Sequence, residues 1–180
     1  ELKAQNLSAI DDNSIDIVLC HWALTLMNPI TPVLNEIHRV LSLGGKFAAL
    51  VNGPMDAAPG YSDVYNLIYK YVQAKLPRYG EIDLGDPRIR STDSLKNLLS
   101  ETFPDANISI ETSTVSMEGP VAEVAETTAG FFYASFILSP EIREVMLSKL
   151  SNLLTISKKG RISVSHGRFS MPINRLVITK

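Results

Sequence analysis

Short apolar runs alternate with helical periods in the first third of the chain. A β-branched run at 15–20 follows a polar turn, and this pattern predicts a strand that is buried on both faces. Apolar residues then recur at helical spacing from an N-cap at Thr31 until Gly44 ends the helix, and a second buried run occupies 46–51. A strand, a helix and a strand in this order predict a right-handed crossover between two parallel strands.

The rest of the chain predicts a mixture of helices and strands. Helical stripes occupy four further segments, at 64–76, 92–102, 121–136 and 142–154. Strand-like runs occupy 108–115 and 175–179, whereas 162–169 fits either a strand or a long loop. We therefore predict an α/β protein whose first half is doubly wound and whose last strands are antiparallel at the edge of the sheet.

Composition narrows the class of protein. The 180 residues are 45% apolar, which suits a single domain, 1–180, with a sizeable core. The 17 Lys and Arg residues against 19 Asp and Glu form no basic stripe, so nucleic acid is not an expected partner. No apolar stretch is long enough to cross a bilayer, so no membrane partner is expected either. A single cysteine, Cys20, and the absence of a signal segment favour a cytoplasmic protein.

Two clusters of residues near the start of the chain carry a family resemblance. The first comprises Ser14, Asp16, His21 and Leu24, and the second comprises Glu36, Arg39, Val40, Leu41, Gly44 and Gly45. Their types and spacing resemble the class I S-adenosylmethionine-dependent methyltransferases, in particular the methyltransferase type 11 group. Ile15 departs from that family's usual Phe, and Ser42-Leu43 replaces its usual Lys-Pro.

The resemblance implies a partial Rossmann-like methyltransferase fold with the later strands of the sheet, an antiparallel edge strand and added lid helices. The family's glycine-rich turn and ribose-binding acid have no counterpart in this sequence. The resemblance therefore places the chain as the carboxyl-terminal portion of a methyltransferase domain, with 1–53 as its core unit and with 54–90 and 118–138 as lid segments. Such a fragment is expected to bind the cofactor weakly or not at all.

The resemblance also implies where ligands bind. Contacts with the cofactor S-adenosylmethionine are expected from six residues: Asn6, Leu7, Cys20, His21, Trp22 and Leu24. In this scheme the turn at 4–7 offers its backbone groups to the adenine ring. Contacts with the substrate are expected from four further residues: Asn52, Gly53, Tyr65 and Tyr69. His21 is the one candidate for a general base, and no other catalytic residue is assigned.

Several of these residues also have a purely structural interpretation. Cys20 and Trp22 fit simple core positions, and the tyrosines between 61 and 71 fit a packed helix face as well as a lid. Glu36 and Arg39 stand at i and i+3, which predicts an ion pair between them. No metal site is predicted, because the histidines and the cysteine lack the spacing of metal ligands.

Two functional hypotheses follow from these patterns. In the first, the parent protein transfers a methyl group from S-adenosylmethionine to a small-molecule acceptor. In the second, the chain is a non-catalytic Rossmann-like interaction module that forms a homodimer through the exposed edge of the 15–20 strand, because proteins rarely leave an apolar edge open. An oxidoreductase on a nicotinamide-binding fold is a weaker third hypothesis, because its glycine motif is absent as well.

Overall fold

The computed structural model describes residues 2–76, 85–156 and 166–180. Within these residues the chain forms five β-strands: β1 (Ile15–His21), β2 (Leu41–Asn52), β3 (Asn107–Pro120), β4 (Thr155–Ile156) and β5 (His166–Thr179). The same residues form five α-helices: α1 (Thr31–Val40), α2 (Tyr61–Lys75), α3 (Thr92–Thr102), α4 (Val121–Phe131) and α5 (Pro140–Leu154). Short 3₁₀ turns occur at Leu24–Leu26, Pro87–Arg90 and Tyr133–Ile137.

The strands form one mixed sheet in the order β1-β2-β5-β3, with β4 paired to β5. β1 and β2 are parallel, as the strand-helix-strand pattern predicts, and β5 is antiparallel to β2. The α/β fold class is therefore confirmed. The prediction that the antiparallel strand lies at the sheet edge is wrong, because β5 lies between β2 and β3 and β3 takes the edge. The Thr112 side chain of β3 donates a hydrogen bond to the Asn174 side chain of β5 at 2.7 Å, which links these two neighbouring strands.

The chain divides into two compact units. Of the described residues, 2–57, 85–113 and 172–180 form the first unit, and 58–76, 114–156 and 166–171 form the second. β3 and β5 each contribute residues to both units. Among the residues predicted to form lids, 58–76 and 118–138 belong to the second unit, and their action as lids stays a prediction.

The core of the first unit lies on one face of its sheet. Helices α1 and α3 bury their apolar residues there, namely Val33, Leu34, Ile37 and Val40 of α1 and Leu95, Leu98 and Leu99 of α3. Phe47 of β2 stacks with Phe103 at a ring-centroid separation of 6.4 Å, and both side chains are buried. On β1, Val18 and Cys20 pack against this core, whereas Ile17 and Leu19 point away from it and are exposed. The prediction that this strand is buried on both faces is therefore wrong.

The end of α1 differs from the sequence prediction. The helix ends at Val40, and Leu41 already has the extended backbone that opens β2. Gly44, expected to stop the helix, lies within β2 at a φ of +79°, a conformation that favours glycine. Gly44 and Gly45 therefore lie near the start of β2, where its pairing with β1 is irregular and the register shifts between Ile15 and Ile17. The glycines therefore shape the strand entry rather than the helix exit.

Other element boundaries follow the sequence more closely. The helix predicted at 92–102 is confirmed, and the one predicted at 142–154 begins two residues earlier, at Pro140. The helix predicted at 121–136 ends at Phe131 and continues as a 3₁₀ turn. Of the segment 162–169, which fits a strand or a loop, residues 166–169 lie in β5 and the others lie outside the described residues.

Aromatic side chains dominate the interior of the second unit. Tyr61, at the start of α2, is 4% exposed and lies 6.1 Å from both Phe132 and Phe169, measured between ring centroids. Burial raises the pKa of the Tyr61 hydroxyl to about 12. Ser116 of β3 and Ser170 of β5 share a hydrogen bond of 2.8 Å in the same unit. This unit therefore has its own packed interior.

Candidate functional site

The carboxyl ends of β1 and β2 lie side by side in the first unit. Because the two strands are parallel, His21 at the end of β1 is in register with Leu50 of β2. The backbone N–H of Trp22 donates to the carbonyl of Leu50 at 3.0 Å and continues the pairing one residue beyond β1. The His21 and Asn52 side chains are exposed at this end of the sheet. Open α/β sheets place their ligands at this kind of strand end.

Trp22 has an unusual backbone and a well-defined side-chain partner. Its φ of +57° lies in the left-handed region, which costs a residue with a side chain about 1–2 kcal/mol. Its indole N–H donates to the Asn52 side-chain oxygen at 2.6 Å, and its carbonyl accepts from the Thr25 hydroxyl at 2.8 Å. The His21 ring meets the indole edge to face at 4.9 Å between centroids. Strained backbone of this kind concentrates at functional sites.

An ion pair between the buried Asp86 and the partly exposed Arg88 holds the loop that follows Trp22. Asp86 is 6% exposed, its backbone N–H donates to the carbonyl of Met27 at 3.0 Å, and its carboxylate accepts two bonds from the Arg88 guanidinium at 2.7 and 2.9 Å. Arg88 also donates to the Thr31 hydroxyl at the start of α1, at 3.0 Å. The Arg88 hydrogen bonds lower the pKa of Asp86 to about 2. The sequence analysis placed this segment in the predicted lid 54–90 but assigned no role to Asp86 or Arg88.

Three other predicted site residues differ in exposure. Gly53 is buried and donates from its backbone to Pro172 at 3.0 Å. A Cβ added there would approach the backbone nitrogen of Ile173 to 2.9 Å, so the position suits glycine alone. Cys20 is half-buried against the core, and Leu24 is 1% exposed within that core. Leu24 therefore lies behind the exposed end of the sheet rather than on its surface.

The loop at 6–12 is tied to α1 by two charged side chains. The Leu7 N–H donates to the Glu36 carboxylate at 2.6 Å, and the Leu7 carbonyl accepts from both Arg39 and the Ile10 N–H, at 2.9 and 2.8 Å. The backbone of Leu7 is thus occupied within the protein, which corrects the expectation that it serves the adenine. The Asn6 side chain is exposed, and its oxygen accepts from the Ser8 N–H at 3.1 Å.

Glu36 and Arg39 form the ion pair that their spacing predicts. The Arg39 guanidinium donates to both Glu36 carboxylate oxygens, at 2.9 and 3.0 Å, and also to Asp12 at 2.5 Å. The hydrogen bond from Arg39, followed by that from the Leu7 backbone, lowers the pKa of Glu36. Hydrogen bonds to Glu36 and then to Asp12 raise the pKa of Arg39. Both side chains therefore remain charged at neutral pH. Asp16 accepts a hydrogen bond from the Ser42 hydroxyl at 2.9 Å.

The tyrosines predicted to contact the substrate lie in the second unit. Tyr65 and Tyr69, one turn apart on α2, are half-buried and stack with ring centroids 5.5 Å apart. The Tyr65 ring also meets Phe132 edge to face at 6.2 Å. A packed face therefore accounts for part of their surface. Their contact with a substrate stays a prediction.

The described residues contain neither a metal-ligand cluster nor a membrane-spanning helix. No group of three or more His, Cys, Asp or Glu side chains in residues 2–76, 85–156 and 166–180 is arranged to hold a metal ion. In the same three stretches, none of the helices combines the length and the apolar character needed to cross a membrane.

Comparisons with known proteins agree on one fold. Residues 1–49 match a family model described as a methyltransferase domain, whereas no curated protein matches the chain. A Bacillus halodurans protein described as a candidate methyltransferase is 14% identical, with a TM-score of 0.52, and the match covers 99% of this chain and 69% of that one. The YcgJ protein of Bacillus subtilis is 15% identical, with a TM-score of 0.53, and the match covers 98% of this chain and 68% of that one.

Proposed function

We propose that this chain, whose residues 1–49 belong to the methyltransferase-domain family, serves methyl transfer from S-adenosylmethionine to a small-molecule acceptor. The family match and the shared fold confirm the resemblance to class I S-adenosylmethionine-dependent methyltransferases. The observation that carries the proposal is the left-handed Trp22, bonded to Asn52 where two parallel strands end. A strained residue at such a strand end supports a ligand site there.

The groups around the cofactor site suit a nucleoside with a positively charged sulfonium. The cofactor supplies a methyl group that is already activated for transfer. The exposed Asn6 amide carries donors and an acceptor that suit the polar edge of a purine, and the half-buried Leu7 side chain offers it an apolar surface. The half-buried Trp22 ring suits an apolar or cationic group, because aromatic faces attract cations. We assign the cofactor to these three residues and to His21.

The protein's main contribution to such a reaction is positioning. An electrophile that is already charged needs little covalent assistance, so the enzyme gains most by holding the acceptor in line with the methyl group. The hydrogen bond between Trp22 and Asn52 and the Asp86–Arg88 pair restrict the segment that follows β1. This restraint supports a fixed wall beside the reacting atoms.

His21 is the residue that we propose to accept a proton from the acceptor. Its ring is exposed at the strand end and is oriented by its edge-to-face contact with Trp22. An imidazole can act as a general base, so it can take the proton of a hydroxyl, an amine or an acidic carbon as the methyl group is transferred. We assign an acceptor contact to Asn52 in the first unit, whereas Gly53 is buried beneath it. The substrate contacts of Tyr65 and Tyr69, taken within the second unit alone, stay a prediction.

Calorimetry with S-adenosylhomocysteine tests the proposal on the protein expressed from its complete gene. We expect saturable binding, and we expect Trp22→Phe to weaken it by about threefold to tenfold, because the ring stays while the hydrogen bond to Asn52 is lost. Phe136→Leu, at a position that is 64% exposed in the second unit, is the control and should leave binding unchanged. Absence of binding, or equal binding by Trp22→Phe, would contradict the proposal.

A second candidate function is self-association through β1. Among the described residues β1 is an edge strand of the sheet, and its Ile17 and Leu19 side chains are 63% and 76% exposed. An uncovered apolar edge favours pairing with a second copy, which gives a two-fold homodimer of the interaction-module type. Sedimentation should show a dimer that Leu19→Lys converts to monomer. A monomeric parent protein would exclude this candidate.

A further inference from the structure

The charged side chains of Glu36 and Arg39 hold the loop at 7–12 to α1. Arg39 donates to the carbonyls of Leu7 and Ile10, each at 2.9 Å, and to the Asp12 carboxylate at 2.5 Å. Glu36 accepts from the Leu7 N–H and at the same time binds Arg39 through both of its oxygens. Two side chains of one helix therefore bind three residues of the loop.

This network is more than a surface ion pair. The Arg39 and Glu36 side chains are 28% and 21% exposed, whereas exposed pairs of this type usually contribute little because water and salt screen them. Most of the Arg39 bonds go to loop atoms far away in sequence rather than to its helical neighbour. The planar guanidinium makes five hydrogen bonds to Glu36 and the loop, whereas an ammonium group has three N–H donors. The geometry of the pair therefore fixes the position of the loop.

The same network leaves a specific surface for a ligand. Since both backbone polar groups of Leu7 are occupied, only its side chain and the Asn6 amide remain to face the cofactor. The position of these two groups depends on the backbone between residues 6 and 8. That backbone is in turn held by Glu36 and Arg39.

We propose that Glu36 and Arg39 are positioning residues for the cofactor: they hold Leu7 in place so that the Asn6 amide and the Leu7 side chain meet the adenosine end of S-adenosylmethionine. This inference rests on the proposed function. It assigns neither residue to the reacting atoms, because both act through the loop. Loss of the network should therefore weaken cofactor binding and leave turnover at saturating cofactor unchanged.

The test uses Arg39→Lys and Glu36→Gln in the protein expressed from its complete gene. We expect Arg39→Lys to raise the Kd for S-adenosylhomocysteine and the KM for S-adenosylmethionine about tenfold, because a single ammonium replaces the fork, with kcat unchanged. Glu36→Gln keeps an acceptor for the Leu7 N–H and should have a smaller effect in the same direction. The matched control is the bidentate pair between Arg143 and Glu126 in the second unit, where Arg143→Lys should change neither constant.

Hydrogen exchange separates the possible outcomes. Faster exchange of the Leu7 amide in Glu36→Gln and Arg39→Lys, together with the increase in KM, supports the inference. An unchanged KM in folded variants overturns it even where the amide exchanges faster, because the network would then serve stability alone. Equal falls in kcat and in thermal stability would also overturn it. If the unaltered protein binds no S-adenosylhomocysteine, the proposed function fails and this inference fails with it.

Discussion

At the scale of single residues, the structure is set by polar side chains that close loops near the ends of β1. The hydrogen bond between Trp22 and Asn52, the pair of Asp86 with Arg88 and the pair of Glu36 with Arg39 each restrain a different loop of the first unit. Each partner is charged or strongly polar, and each bond reaches a loop that helix or strand pairing alone would leave unrestrained. Changes at these residues should therefore affect specific, measurable properties.

The ionisation of Asp86 should make the free energy of unfolding depend on pH in the acid range. Its pKa is about 2 in the folded protein, below its ordinary value of 3.8, so its contribution is complete above about pH 4 and is lost as pH falls towards 2. We expect Asp86→Asn to lower the free energy of unfolding at pH 7 by about 1–2 kcal/mol, because the hydrogen bonds to the partly exposed Arg88 lose the carboxylate charge. The variant should also show a flatter loss of stability with acid.

Urea unfolding between pH 2 and pH 7 measures both effects. Asp56→Asn, at an exposed carboxylate of the same unit, provides the comparison and should behave like the parent protein. An acid profile of Asp86→Asn that matches the parent would show that this pair contributes nothing.

Sequence reasoning reached the local pairs and missed the distant ones. Glu36 and Arg39 stand three residues apart on one helix, so their pairing is visible in the sequence. Arg88 reaches Thr31 across 57 positions, and Trp22 reaches Asn52 across 30, so neither contact can be read from spacing. Similarly, nothing local indicates that the Leu7 backbone is occupied by α1.

At the scale of elements, the carboxyl end of α1 is capped by Lys180, a residue far away in the sequence. The Lys180 ammonium donates to the carbonyls of His38 and Leu41, at 2.6 and 2.8 Å, and to the Asn13 side chain at 2.7 Å. A cation at this end of a helix complements the helix dipole and satisfies carbonyls that lack helical partners. The helix can therefore end at Val40 without a glycine cap, which explains why the glycine signal placed its end too late.

Lys180→Met should loosen this helix end and change the titration of His38. We expect a loss of about 1 kcal/mol in the free energy of unfolding. Burial, and then the charge of Lys180, lower the pKa of His38 from its ordinary 6.5. Because protonated His38 is disfavoured in the folded state, the unsubstituted protein loses stability as pH falls through 6.5, and the variant should lose less.

Nuclear magnetic resonance titration of the His38 ring provides the measurement. The His38 pKa should rise in Lys180→Met and yet stay below 6.5, because burial remains. Lys149→Met, at a lysine that lies over the Tyr71 ring in the second unit, is the control and should leave the titration unchanged. A His38 pKa that does not move would contradict the role assigned to Lys180.

At the same scale, the sequence predicted individual elements but not the neighbours of each strand. The parallel crossover and the helix at 92–102 could be predicted because hydrophobic period and capping residues are local signals. The neighbours of β5 could not, because strand order depends on pairings between segments more than 50 residues apart in the sequence. The exposure of Ile17 and Leu19 was not predicted either, because a β-branched run has the same sequence pattern whether one face of the strand or both faces are covered.

At the scale of the whole molecule, the chain divides into a first unit, which contains the residues 1–49 that match the methyltransferase-domain model, and a second unit with its own interior. Every cofactor residue that we propose belongs to the first unit, whereas the aromatic interior around Tyr61 belongs to the second.

The central claim is that the cofactor lies beside Trp22, and the indole N–H signal of Trp22 reports on it directly. The signal is identified by its loss in Trp22→Phe, and its bond to Asn52 fixes its starting environment. In the protein expressed from its complete gene, titration with S-adenosylhomocysteine should shift this signal saturably, with the same Kd that calorimetry gives. Binding seen by calorimetry while the Trp22 signal stays in place, or no binding at all, would contradict the account.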